Sequence, residues 1–265
     1  MAIVTPYDPH RFKTAAAHYA GREPYSPRLI ARVAELTGLT ADDRVMDLGS
    51  GPGTLALAMA PYVGSVVAVD PEAEMLALAE AAAGDVRPRL TLIEGSSNDL
   101  GPHFGMFALV AIGRAFHWMD RADTLRRLDE IVEPDGALVL FDVATVRSPD
   151  TAWIRDYRDI IEKFADGAAT WHGPDVLPHE AVLLDSPFSR LECIATIERR
   201  RVKVDSLIDR ALSMSRTSPG RIGPEKAAAL AEEIRALGER ATTDGSLTEI
   251  LASNALIARR PRVTN

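Results

Sequence analysis

Val45 to Thr54 reads Val-Met-Asp-Leu-Gly-Ser-Gly-Pro-Gly-Thr, and this stretch decides the fold predicted for the chain. A short apolar strand reaches the acid Asp47, and three glycines then alternate with other residues before a segment that suits a helix. Glycine adopts positive φ angles and lets backbone amides approach a ligand without an intervening Cβ. A loop of this kind ahead of a helix N-terminus is typical of nucleotide-binding sites.

A second strand, Val66 to Asp70, follows about twenty residues later, where an acid usually binds the hydroxyls of an adenosine ribose. Two kinds of nucleotide site are open at this point. The dinucleotide fingerprint G-x-G-x-x-G/A requires glycine or alanine where this chain has Thr54. Asp47 would also lie unfavourably beside a pyrophosphate, whereas a ligand with an ammonium group and no phosphate would suit it.

The glycine stretch resembles the D/E-x-G-x-G-x-G motif of class I S-adenosylmethionine-dependent methyltransferases. Three further segments resemble the motifs that follow the second and third strands and form the fifth strand of that family: Asp70 to Leu76, Ile93 to Leu100 and Leu128 to Asp142. Together they cover roughly residues 25–145. More loosely, the whole chain is similar to the small-molecule branch that includes trans-aconitate methyltransferases, in which the Tyr19, Arg22 and Tyr25 stretch and the Phe116-His117-Trp118 segment recur.

The order of elements predicts the fold class. Apolar strands at 44–48, 65–70, 89–94, 107–112 and 136–142 alternate with helical segments, one of them predicted at 121–132 behind the N-cap Asp120. Such alternation indicates an α/β, doubly wound, mainly parallel sheet; the resemblance implies seven strands, a Rossmann-like methyltransferase sheet and helical lid elements. We expect one domain over 1–265, with an N-terminal lid (1–25), a cofactor-binding core (26–145), a substrate-lid insert (146–190) and C-terminal elements completing the sheet (191–265).

The resemblance implies which residues bind S-adenosylmethionine and leave S-adenosylhomocysteine as product. The expected cofactor-binding residues are Tyr19, Arg22, Asp47, Gly49, Ser50, Gly51, Gly53, Asp70, Pro71, Met75, Gly95, Ser96, Ser97, Arg114 and Ala115. Ser96 stands where the family usually has an acid that accepts from the adenine amino group. Arg114 also has two other interpretations, since its guanidinium fork suits either a substrate carboxylate or a salt bridge.

His117 is the candidate catalytic base, because the loop after the fourth strand faces the donor methyl in this fold and histidine titrates near neutral pH. The alternatives are that His117 holds the loop by bonding a backbone carbonyl, or that it only lines the pocket. The expected acceptor-binding residues are Phe116, His117, Trp118, Trp171 and His172. No metal is predicted, because the Trp171 to His179 stretch matches no metal-binding signature.

Composition narrows the partners. The formal net charge of −8 disfavours nucleic acid, and no apolar run is long enough to cross a membrane. The N-terminus lacks signal-peptide features and the single cysteine, Cys193, is expected to be buried, which together favour the cytoplasm. The expected partner is a small-molecule acceptor, and a homodimer is open. Two alternative functions are a nicotinamide-dependent oxidoreductase and a non-catalytic S-adenosylmethionine-binding protein.

Overall fold

One seven-stranded sheet organises the chain in a computed structural model that describes residues 15–167 and 177–261. The strands are β1 Arg44–Leu48, β2 Ser65–Asp70, β3 Leu90–Glu94, β4 Phe107–Gly113, β5 Val132–Thr145, β6 Arg190–Lys203 and β7 Ser246–Arg259. Their order in the sheet is β3-β2-β1-β4-β5-β7-β6. The first five are parallel, and β7 pairs antiparallel with both β5 and β6. The predicted fold class is confirmed.

Helices connect these strands and cover the sheet. Those in the described residues are α1 Pro27–Thr37, α2 Thr54–Met59, α3 Ala73–Ala82, α4 Arg121–Asp129, α5 Trp153–Phe164, α6 His179–Leu184, α7 Val204–Leu212, α8 Pro219–Ile222 and α9 Pro224–Ala241. A short 3₁₀ turn, Ala16–Gly21, precedes them. None of the helices in this part of the chain is long and apolar enough to cross a bilayer.

The inner strands of the parallel core, β1, β2, β4 and β5, bury both of their faces. In β1, Val45 belongs to a cluster that contains Leu29 of α1, whereas its neighbour Met46 belongs to a cluster that contains Leu128 of α4. Successive side chains of a strand point to opposite faces, so this division follows directly from the strand period. The near-continuous apolar runs of these strands are therefore required by helices on both sides of the sheet.

A third apolar cluster lies outside the parallel core. It joins α5, α7 and α9 to the end of the antiparallel pair, where Val202 and Leu247 are buried. The predicted helices near 151–165, 205–215 and 224–239 correspond to these three elements, with bounds shifted by a few residues. This C-terminal helical group is important for the site, because the N-terminal turn packs on α7.

Two details of the sequence prediction are wrong. The helix predicted at 121–132 begins behind Asp120, whose carboxylate accepts from the Asp123 amide, but it ends at Asp129 because Val132 pairs with Phe107 in the sheet. Cys193 is exposed and not buried. Its strand, β6, forms the edge of the sheet, so the alternating pattern there reflects pairing with β7 and not a core on both faces.

Candidate active site

Three left-handed glycines shape the loop between β1 and α2. Gly49, Gly51 and Gly53 have φ angles of 70°, 54° and 74°. The backbone amides of Gly49 and Ser50 both donate to the carbonyl of Val69, at 2.8 and 3.0 Å, which fixes the loop against the end of β2. The loop therefore lies at the carboxyl ends of two adjacent parallel strands, where ligands of such sheets bind.

Besides their left-handed backbone, Gly49 and Gly53 have no room for a side chain. A Cβ on Gly49 would lie 2.6 Å from the Cβ of Ala115, and one on Gly53 would lie 2.9 Å from the Cβ of Ala79. Gly49 thus brings the first loop into contact with the loop that follows β4. That contact places two predicted cofactor-binding residues, Gly49 and Ala115, beside each other.

Asp70 closes the glycine loop from the second strand. Its buried carboxylate accepts from the amide of Gly51 through Oδ2, at 2.7 Å, and from the amide of Glu72 through Oδ1, at 3.0 Å. Burial raises the pKa of Asp70, and these two hydrogen bonds oppose that rise. Each carboxylate oxygen has a further lone pair, so the geometry leaves acceptors for a pair of ribose hydroxyls.

Asp47 lies beneath the loop and is 1% exposed. Its Oδ2 accepts from the amide of Ala56 in α2 at 2.9 Å. Burial raises the pKa of Asp47 to about 7, the hydrogen bond from Ala56 opposes the rise, and the charge of Asp70 adds to it. The ionised form is thus disfavoured in this environment, and a cation beside the carboxylate would restore it.

The loop after β3 packs on the same edge of the sheet. The Gly95 amide donates to the carbonyl of Asp70 at 3.1 Å, while Ser96 caps a short 3₁₀ turn. The Ser96 hydroxyl donates to Asp99 at 2.9 Å and accepts from the Asn98 amide at 3.2 Å. One lone pair on this hydroxyl is left for another donor. Ser97 is buried, as is Met75 in the helix that follows Pro71.

The N-terminal segment covers the glycine loop. A Cβ on Gly51 would lie only 3.6 Å from the Tyr19 hydroxyl. Arg22 lies 5.4 Å from the centre of the Tyr19 ring and donates through Nη2 to the carbonyl of Ser213 at 2.9 Å. Its Nε is buried with no hydrogen-bond partner among the described residues, and burial lowers the pKa of the guanidinium.

The loop after β4 carries the candidate acceptor residues. Arg114 has a φ of 56°, the only left-handed non-glycine residue in the described part of the chain. Its guanidinium pairs with Glu23 at 3.2 Å and lies over the Tyr25 ring, 5.1 Å from its centre. Of the three roles predicted for Arg114, the salt bridge is the one that the side chain makes here, and a cofactor contact stays a prediction.

Phe116, His117 and Trp118 form a 3₁₀ turn directly after this arginine. The rings of His117 and Trp118 are half-buried, with centres 4.6 Å apart. Phe116 is buried and packs edge-on against His179, with centres 5.2 Å apart. This packing gives Phe116 a role in holding the turn, while its contact with an acceptor stays a prediction.

Two predicted acceptor residues, Trp171 and His172, lie outside the described residues. Among residues 15–167 and 177–261, no three His, Cys, Asp or Glu side chains are grouped as metal ligands. The sequence interpretation missed Glu23, Arg210 and Glu249, which form a largely buried set of charges behind the N-terminal segment. No local motif marks them, because their contacts span distant parts of the chain.

Comparison with known proteins agrees with this geometry. A family model described as a methyltransferase domain matches residues 45–136, which contain the glycine loop and the loop after β4. An uncharacterised methyltransferase of Mycobacterium tuberculosis is 28% identical over 214 residues, covering 78% of this chain and 77% of the relative. The methyltransferase pgmE of Aspergillus terreus is 28% identical over 138 residues, or 48% of this chain and 41% of that protein.

Solved structures show the same fold. A putative type II methyltransferase from Anaeromyxobacter dehalogenans superposes with a TM-score of 0.65 at 22% identity, covering 90% of this chain and 97% of that one. A methyltransferase from Thiobacillus denitrificans, solved with S-adenosyl-L-homocysteine, gives a TM-score of 0.53 at 19% identity, covering 94% and 98%. Together with the glycine loop, the two buried acids and the seven-stranded sheet, these matches identify residues 45–136 as a methyltransferase domain and support its likeness to the class I S-adenosylmethionine-dependent methyltransferases.

Proposed function

We propose that this enzyme transfers the methyl group of S-adenosylmethionine to an oxygen, nitrogen or carbon atom of a small-molecule acceptor. We infer the acceptor class from the cover of the site, because Tyr19 lies directly over Gly51 in the glycine loop. A glycine loop covered in this way favours a small acceptor over a bulky polymer. The formal net charge of −8 supports the same conclusion, because nucleic acid is normally bound through basic surface.

The donor would lie along the carboxyl ends of β1, β2 and β3. Its ammonium group would lie near Asp47, and the ribose hydroxyls would donate to the remaining lone pairs of Asp70. The adenine would lie against Met75, with its amino group near the Ser96 hydroxyl. Backbone amides of the left-handed glycines provide the close approach that the methionine portion needs. No phosphate is required at any of these positions.

Arg22 is the residue best placed to bind the donor carboxylate. Its guanidinium lies beside Tyr19, above the glycine loop, and its buried Nε has no partner among the described residues. A buried polar group without a partner is costly, and a carboxylate would satisfy it with a charge-assisted hydrogen bond. Arg22 and Asp47 would then bind the opposite charges of the methionine portion.

The reaction is an in-line displacement. An electron pair of the acceptor atom forms a bond to the methyl carbon, the carbon–sulfur bond breaks, and its electrons stay on sulfur as the thioether of S-adenosylhomocysteine. The donor is already activated, so alignment is the main contribution of the protein, worth up to about 7–11 kcal/mol. A base is required only where the acceptor must lose a proton, and His117 is the proposed base for that case.

A panel of candidate acceptors, assayed for S-adenosylhomocysteine formation, tests this function. With an acceptor that must lose a proton, we expect His117→Ala to lower kcat at least tenfold and to remove the dependence on a group titrating near neutrality. His103→Ala is the matched control, since His103 is exposed and lies before β4. If His117→Ala stays within about threefold of the parent kcat, a change below 1 kcal/mol, His117 is not the base.

The alternatives separate in the same assay. The comparisons identify methyltransferases, so the nicotinamide-dependent oxidoreductase is not retained. A non-catalytic protein would bind S-adenosylhomocysteine and give no turnover with any acceptor. The trans-aconitate branch, a cytoplasmic location and a homodimer stay predictions from the sequence.

A further inference from the structure

Five charged side chains form a continuous series from the sheet edge to the loop after β4. We call Arg200, Glu249, Arg210, Glu23 and Arg114 the charge series. Arg200 Nε lies 2.5 Å from Glu249 Oε1, and Arg210 binds both oxygens of Glu249 at 2.9 and 3.2 Å. Arg210 also reaches Glu23 at 3.4 Å, and the other oxygen of Glu23 lies 3.2 Å from Arg114. Positive and negative charges alternate along the whole series.

The middle of this series is removed from water. Glu249 is 0% exposed and Arg210 is 3% exposed. Burial alone would raise the pKa of Glu23, but the charges of Arg210, Arg114 and Arg22 lower it below its ordinary value. Glu23 therefore stays ionised between the arginines. Buried ion pairs of this kind stabilise a fold no better than apolar side chains of the same volume, so their effect is to select one arrangement of the elements they join.

The arrangement that they select is the docking of the N-terminal segment on α7. Arg210 Nε donates to the carbonyl of Gly21 at 3.1 Å, and a Cβ on Gly21 would lie 2.5 Å from the Arg210 amide nitrogen. His18 lies 2.9 Å from Asp209, and Arg22 donates to the Ser213 carbonyl at 2.9 Å. The turn that carries Tyr19 thus touches α7 along its length.

We infer that Glu23 and Arg210 are positioning residues for donor binding, although α7 lies far outside the residues matched by the methyltransferase-domain model. They fix the segment that holds Tyr19 and Arg22 over the glycine loop. This inference rests on the proposed function of Arg22 in the same site. Glu23 also pairs with Arg114 at the start of the loop that carries His117.

Glu23→Gln tests this inference, because it keeps the shape of the side chain and removes the charge between two arginines. We expect the Kd of S-adenosylhomocysteine to rise at least tenfold and the donor KM to rise with it. At saturating donor, kcat should stay within about threefold, because the bound donor carboxylate redocks Arg22. Amide exchange of residues 16–22 in the free protein should accelerate at least tenfold.

Two variants give the controls. Glu233→Gln removes the carboxylate that pairs with Lys163 between α5 and α9, far from the N-terminal segment, and should change the Kd less than twofold. Glu23→Asp retains the charge and should restore the Kd to within about threefold of the parent. If Glu23 has a purely structural role, Glu23→Gln lowers Tm but leaves the donor KM at the parent value. Glu23→Asp then has no defect in donor binding to rescue.

The inference is overturned if folded Glu23→Gln binds S-adenosylhomocysteine within twofold of the parent and exchanges 16–22 at the parent rate. Should Glu23→Gln fail to fold, His18→Ala weakens the same docking from a half-exposed position and must raise both the Kd and the exchange rate. Parent protein that binds no S-adenosylhomocysteine would contradict the proposed function instead. In that case accelerated exchange in Glu23→Gln would still support the docking.

Discussion

The two halves of the site are held together by different kinds of contact. The donor half consists of the loops after β1, β2 and β3 and is built by contacts that are local in sequence. The cap half consists of residues 16–25, the loop after β4 and α7, and is built by contacts between residues far apart in sequence. In the donor half, the Asp70 carboxylate binds the Gly51 amide, 19 residues away. In the cap half, Arg22 reaches the Ser213 carbonyl across 191 residues and Glu23 reaches Arg114 across 91.

This difference explains what each half can do. Backbone amides and left-handed glycines form a rigid donor site that depends little on the rest of the chain. Ion pairs between side chains form a cover whose position depends on several elements at once. Changes in the donor half should therefore weaken cofactor binding more strongly than changes in the cap half.

The largest effect is expected from Gly49→Ala. The change adds a left-handed alanine, at about 1–2 kcal/mol, and a Cβ only 2.6 Å from that of Ala115. We expect the Kd of S-adenosylhomocysteine to rise more than about a hundredfold, or about 2.7 kcal/mol. Gly38→Ala is the matched control, because Gly38 has a φ of 71° with open space around its Cβ position. It should lower stability by a similar strain and leave the Kd unchanged, as calorimetry and thermal unfolding would show.

Asp70→Ala should have the next largest effect, and it should act on binding and stability together. The substitution removes the ribose acceptor and also leaves the buried amides of Gly51 and Glu72 without theirs, at about 1–3 kcal/mol each. The sequence alone predicts a loss of binding with an unaffected fold. A lower Tm together with a Kd raised at least about thirtyfold, near 2 kcal/mol, is the expected result. An unchanged Tm would show that water replaces both hydrogen bonds.

Asp47 should make donor binding depend on pH. Its pKa of about 7 in the folded chain lies above the ordinary 3.8, so its contribution to stability is fully present below pH 3.8 and is lost as the pH rises through about 7. The whole change corresponds to at most about 4 kcal/mol. The donor ammonium favours the ionised carboxylate, so affinity should rise with pH up to about 7 and level off above it.

Asp47→Asn sharpens this test. Its side-chain oxygen can still accept from the Ala56 amide, but the group no longer titrates. We expect the variant to bind S-adenosylhomocysteine more weakly at pH 8, to lose the roughly tenfold weakening of the parent between pH 8 and pH 6, and to melt at a higher temperature at pH 8 without ligand. A parent Kd that is flat from pH 6 to pH 8 would mean that Asp47 keeps one protonation state.

The sequence predicts the donor half well because its signals are local. Strand β1, the glycines and Asp70 each lie within a short motif, and the structure brings them together as expected. The cap half is predicted only through Tyr19, Arg22 and the loop after β4. Its other members, such as Arg210, lie in an ordinary amphipathic helix, and only the folded chain brings that helix against residues far away in sequence. The exposed thiol of Cys193 is a similar case, because strand alternation does not reveal which strand is the edge.

Isothermal titration of the unmodified protein with S-adenosylhomocysteine, and separately with NADH, tests the donor site most directly. We expect S-adenosylhomocysteine to bind and, at a hundredfold excess over its Kd, to stabilise the fold by about 2.7 kcal/mol, seen as a higher Tm. NADH should give no heat of binding, because the Asp47 carboxylate beneath the glycine loop would repel a pyrophosphate bound there. Binding of NADH at micromolar concentration with none of S-adenosylhomocysteine would contradict the assignment of the glycine loop to a methyl donor.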